Sequence, residues 1–209
     1  MAEKPVIMPD GHRFYAQKYE VTIAEWNACH DAGACALHIR TRPDMQSETT
    51  PATGVSYLDA GEFLAWINAN SGHTFRLPTV AEWEFMAQEV AHEPDPIFTD
   101  PSLSWASSYM LENLPSRALK KTGSFDMTSG GIGDLPGSVW EWTQDCYAGS
   151  EEGREIPDDR CPAFFAAGEH MAALSILVRD PARGGCAVGS PPAHLGLRLV
   201  SDTPVPVRP

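Results

Sequence analysis

The chain has 209 residues, 43% of them apolar, and a formal net charge of −13. This suits one globular domain able to bury a core, not a disordered tail. The excess of Asp and Glu, with no basic run longer than Lys120-Lys121, argues against nucleic acid as a partner, and no apolar stretch nears the roughly 18 residues needed to span a bilayer.

The start, "MAEKPVIMPDGHRF", has neither the positive end nor the apolar stretch of a signal peptide. A first strand is predicted over Arg13 to Val21. Three helix starts then follow one pattern: Thr22-x-x-Glu25, Ser56-x-x-Asp59 and Thr79-x-x-Glu82 each put a hydroxyl at the cap and a carboxylate three residues on. The first helix, through "IAEWNACHD", is short and stops at Gly33. The second carries Ala60, Phe63, Leu64 and Ile67 on one face and ends at "NSG"; the third repeats the spacing with Trp83, Met86, Ala87 and Val90. From about 92 to 121 the periodicity is lost and Pro94, Pro96, Pro101 and Pro115 interrupt the chain, which predicts a long ordered loop. Further short strands are expected at Trp140 to Gln144, Ser175 to Arg179 and Leu195 to Val200. Trp140 and Trp142 alternate with Val139, Glu141 and Thr143 as on a half-buried strand. The expectation is one α+β domain over residues 1–209, with its core at about 13–201 and an extended tail at 202–209.

Five cysteines are too few for a disulfide scaffold. Cys29 and Cys35 bracket "HDAGA", and Cys146 and Cys161 bracket an acidic loop, so both pairs suit small disulfide loops, with Cys186 left over. The alternative is five reduced thiols, the usual cytosolic state. The paired reading goes with a periplasmic or secreted protein whose leader is absent from this chain, the reduced one with a cytoplasmic protein.

Two stretches, "PATGVSYLDAGEFLAWINANSGHTFRLPTVAEWEF" (51–85) and "TGSFDMTSGGIGDLPGSVWEWTQD" (122–145), resemble the signatures of the formylglycine-generating enzyme family, also called the sulfatase-modifying factor domain. "YEVT" at 19–22, and "RGG" at 183–185 followed by "LGLRLV", are similar to its beginning and end. The resemblance implies a variant of the C-type lectin fold: a small twisted sheet, two main helices and much irregular loop. Read from the residues alone, Arg76, Glu82, Trp83 and Glu84 form a rigid helix entrance, with Trp83 packed inward and Glu84 facing solvent or a basic residue.

The family carries calcium on the turn "GDLPGSVW", and the resemblance implies ligation by the Asp134 carboxylate and the carbonyls of Leu135, Gly137 and Val139, an oxygen set that suits this ion. Ser138 stands where the family has asparagine; the alternative is a plain tight turn with a solvated Asp134. Active members hold copper(I) with two cysteines downstream of the double glycine. Here that segment is "CAVGSPPAHLG": Cys186 stands where the family has serine, Gly189 stands three residues on, and no second cysteine follows. Copper is therefore not expected, and Cys186, with His194 eight residues away, is a weak catalytic candidate. The histidines, at 12, 30, 38, 73, 92, 170 and 194, show no paired ligand spacing for iron. Two functions remain: a catalytically silent binding, accessory or maturation module that docks a protein or ligand partner on its loop-rich face and serves a redox enzyme, or an oxidoreductase using Cys186 and oxygen with altered metal ligation.

Overall fold

In a computed structural model, the described residues are 1–91, 118–147, 160–168, 170–181 and 194–205. The three capping boxes all form. Thr22 starts α1 (Ile23–Asp31), Ser56 starts α2 (Tyr57–Ser71) and Thr79 starts α3 (Val80–Ala87); each cap hydroxyl accepts from the N3 amide and each N3 carboxylate from the cap amide. At the C-termini, Gly33 and Gly72 take positive φ, 75° and 72°, a conformation a side chain would strain. The first helix, at nine residues, is longer than the third, at eight.

The strands form two small sheets. β1 (Val6–Ile7), β2 (Arg13–Ala16) and β7 (Val200–Ser201) make an antiparallel three-stranded sheet in the order β1-β2-β7. β3 (Trp140–Cys146), β4 (Ala163–Ala167), β5 (Met171–Ser175) and β6 (Leu195–Gly196) make the other, in the order β5-β4-β3-β6, with β3 and β6 parallel.

Four expectations need correction. The first strand ends at Ala16, because beyond it the chain bonds to the segment after β6, Gln17 N to Leu199 O at 2.8 Å and Val21 N to Leu197 O at 3.0 Å. The strand expected at Leu195 to Val200 splits into β6 and β7, because 197–199 carry the chain from one sheet to the other. The strand expected at Ser175 to Arg179 lies instead at Met171–Ser175, paired with a β4 of sequence "AFFAA" that the pattern did not suggest. Val178 N bonds back to Ser175 O at 3.0 Å, so the β-prone "SILVR" is spent on a turn. Finally, β3 is buried on both faces from Trp140 to Thr143, not half exposed.

Two apolar clusters fill the interior. Trp26, Phe63, Trp142, Phe164, Leu174, Leu195 and Leu197 join α1 and α2 to the four-stranded sheet. Phe14, Trp83, Met86, Leu135 and Val200 join α3 to the three-stranded sheet and to the 134–139 turn. Val90, predicted on the face of α3, is buried just beyond its end, while Leu64 and Ile67 of α2 pack half-buried against the first cluster.

Candidate functional site

The turn singled out from the sequence closes by a bond from Gly137 N to Asp134 O at 2.9 Å. A β-carbon on Gly137 would stand 2.5 Å from that same oxygen, so no other residue fits without moving the turn. Asp134 itself has φ of 65°, a left-handed conformation that Asp tolerates better than most. Its side chain is 2% exposed. One carboxylate oxygen accepts the amide of Gly123, and the other accepts that of Phe125 at 2.8 Å. Asp134 is thus buried and bonded, not solvated as in a plain turn; both oxygens retain lone-pair capacity beyond these amides.

Behind the turn lies a cluster of buried charges that the sequence reading missed. Arg198, in the segment between β6 and β7, is fully buried and meets Glu141 of β3, also fully buried. The Arg198 Nη2 lies 2.8 Å and the Nε 3.1 Å from Glu141 Oε1. The remaining guanidinium hydrogens go to the carbonyls of Gln17, Lys18 and Gly133, each at 2.9 Å. Trp83 donates its indole N–H to Glu141 Oε2 at 2.9 Å, so the inward packing expected of it also satisfies a buried carboxylate. One guanidinium thereby ties together both sheets and the Asp134 turn, and α3 joins through the indole. The only sequence signal was a charge inside each of two apolar runs, "WEW" and "LGLRLV".

Glu20 completes the cluster. It is 2% exposed, and its Oε2 has no hydrogen-bond partner among the described residues. Its carboxyl is raised to about 8, chiefly by burial; Arg198 works against the rise, and Glu141 and Asp134 add to it. Three carboxyl groups, of Glu20, Asp134 and Glu141, therefore share one interior cation, Arg198. The Asp134 carboxylate and the turn's carbonyls are hard oxygens, the donor type that suits calcium.

A second ionic group holds the helix entrance. Arg76 makes two bonds to Glu82, at 2.6 and 2.7 Å, and reaches Asp202 at 2.6 Å. Burial raises the Glu82 carboxyl, but the bonds from Arg76, Thr79 and His12 outweigh it and hold the group below its ordinary value. His12 Nε2 lies 3.0 Å from Glu82 and 3.7 Å from Asp202. Although His12, Glu82 and Asp202 bring their ligand atoms within 4.8 Å of one another, Arg76 Nη2 sits 2.6 Å from both carboxylates and fills the position a cation would take. Glu84 faces solvent. A matching pair locks the start of α2, where Arg179 bonds Asp59 at 2.6 and 2.7 Å.

Both expected disulfides are present, Cys29–Cys35 and Cys146–Cys161. They use four of the five cysteines, so Cys186 is the single thiol of the chain; it lies outside the described residues, as do Pro94, Pro96, Pro101 and Pro115. His194, the candidate partner of Cys186, accepts the amide of Trp140 through its carbonyl at 2.9 Å. His170 meets the Trp140 ring edge-on at 4.5 Å.

No described helix is long and apolar enough to cross a membrane. Among solved structures the chain is similar to PvdO from Pseudomonas aeruginosa, with a TM-score of 0.58 at 19% identity over 91% of this chain and 81% of that one. It is also similar to Treponema denticola variable protein 1 (TM-score 0.53, 16% identity, 91% and 85%) and to CarF (TM-score 0.51, 18% identity, 90% and 86%). Identities this low speak for the fold alone. No curated protein matches the chain at a significant level. The sulfatase-modifying factor enzyme 1-like domain matches residues 2–203, from before β1 to beyond β7, and the chain belongs to that family, the formylglycine-generating enzyme family.

Proposed function

We propose that the chain is a binding module of this family, silent as an oxidase, that docks a protein partner on its loops as an accessory or maturation factor for a redox enzyme outside the cytoplasm. The observation that carries the reading is the cysteine count. Copper(I) chemistry of the family's kind needs two thiolates converging on one ion. With Cys29, Cys35, Cys146 and Cys161 in disulfides, Cys186 is left alone. The disulfides also support the periplasmic or secreted location, since such bonds persist in oxidising compartments.

Elemental analysis for copper and iron, with thiol-dependent oxygen uptake measured on the same protein, tests this. The expected result is no stoichiometric copper or iron, no uptake, and equal capture of a partner from native extract by the parent and by Cys186→Ser. Stoichiometric copper lost in Cys186→Ser, or oxygen uptake abolished by it, would establish the oxidoreductase alternative with altered metal ligation.

The same reading includes a structural calcium ion held by the Asp134 carboxylate and the carbonyls of Leu135, Gly137 and Val139. What supports it is the oxygen donor set and the buried Asp134 carboxylate, whose two oxygens keep lone-pair capacity beyond the amides of Gly123 and Phe125. Calcium there would fasten the turn and offset interior negative charge. Asp134 would hold the ion while keeping the amides of Gly123 and Phe125.

A further inference from the structure

Eight positions separate His30 from His38, and no one helix or strand carries both, since α1 ends at Asp31. The fold nonetheless brings their rings to 4.9 Å, inclined at 66°. His30 sits in the last turn of α1. The Cys29–Cys35 disulfide then turns the chain back, and the returning segment is tied down on both sides of His38. Trp26 donates its indole N–H to Leu37 O at 2.8 Å, and the Asn27 amide clasps Ile39 twice, at 2.9 and 3.0 Å. Ala36 N is held by Glu62 at 2.8 Å. The backbone carrying His38 is therefore fixed beside α1, so bringing the two rings together costs little further ordering.

The orientation of His30 adds an independent indication. Its Nδ1 lies 3.2 Å from Asp31 Oδ1, and a carboxylate only accepts, so Nδ1 carries the hydrogen and Nε2 of the neutral ring is left with its lone pair. A carboxylate on the far nitrogen is the usual support of a metal-bound imidazole. His30 is 36% exposed and His38 is exposed, so an ion has access to both.

We infer that His30 and His38 form a surface site for a borderline divalent transition-metal ion of the Zn²⁺ class, with the two imidazoles as ligands, water in the remaining positions and Asp31 as the positioning residue of His30. Imidazole is the ligand such ions favour, whereas hard ions such as calcium prefer oxygen. The site is independent of the 134–139 turn and of Cys186.

The test is calorimetric titration of tag-free protein with Zn²⁺ at neutral pH, in a Cys186→Ser background that removes the competing thiol and with excess calcium present. One stoichiometric site is expected. His30→Ala and His38→Ala should each weaken it by about tenfold or more, and Asp31→Asn by about tenfold; His12→Ala should leave it unchanged. Electron paramagnetic resonance of the same Cys186→Ser protein with one equivalent of Cu²⁺ should show two coordinated imidazole nitrogens. No zinc binding, binding insensitive to either histidine substitution, or a single coordinated nitrogen would each overturn the inference, and matching melting curves without metal keep a folding defect from imitating a lost ligand.

Discussion

Replacing Arg198 by Met removes the interior cation while keeping most of the side-chain volume, so its cost is electrostatic more than steric. Glu141 would lose its charge partner while fully buried, and the carbonyls of Gln17, Lys18 and Gly133 would lose a donor. Breaking a buried ion pair from one side costs about 3–5 kcal/mol. The carbonyls, each with a second lone pair, add less than the full penalty of an orphaned group. Against a typical domain stability of about 5–15 kcal/mol, this is about a fifth of the total or more. For a chain of this length it corresponds to a fall of about 6–20 °C in Tm. Urea unfolding followed by tryptophan fluorescence measures it, provided the slope m is unchanged. The double variant Glu141→Gln/Arg198→Met removes both charges and should be more stable than Arg198→Met alone, because no buried charge is then left facing an apolar side chain. A loss below about 1 kcal/mol for Arg198→Met, or a double variant whose loss equals the sum of the singles, would refute the claim that this pair bolts the sheets together.

Glu20, raised from 4.5 to about 8 by burial, holds its proton in the folded state over a range where the unfolded chain releases it. Its stabilising contribution is complete below pH 4.5 and is lost as pH rises through about 8, with a slope of up to about 1.4 kcal/mol per pH unit in between. Glu20→Gln should flatten urea midpoints measured between pH 5 and 9 and gain on the parent toward pH 9; parallel curves would contradict this. Chelator should lower the Tm of the parent, and Asp134→Ala, itself destabilised by the loss of two amide bonds, should no longer respond; an unchanged parent melting curve in excess chelator removes the calcium proposal. Denatured, unreduced protein from its native compartment should titrate one thiol, that of Cys186, and reduction should cost about 2–4 kcal/mol for each disulfide; five free thiols would contradict the pairing.

What was legible in the sequence was local. The capping boxes at Thr22, Ser56 and Thr79 fixed the helix starts because both partners of each box lie within one turn, and the glycines at 33 and 72 marked their ends for the same reason. The short spacings of Cys29 with Cys35 and of Cys146 with Cys161 suggested the pairings, and the family signatures lay in two unbroken stretches. What the sequence did not show depended on partners far away in the chain. Strand "AFFAA" has small residues and weak alternation, and it is a strand because β3 and β5 bond it on either side. Glu141 lies 57 residues from Arg198, and Gln17 lies 181 residues from it, so no periodicity places them together. Nor does the spacing of His30 and His38 announce their contact, which follows from the disulfide turn and the Asn27 clasp. Hydrophobic pattern and caps act over a few residues and can be read in order. The placing of a buried charge is decided by which distant groups can satisfy it once water is gone, and that choice exists only in the folded chain.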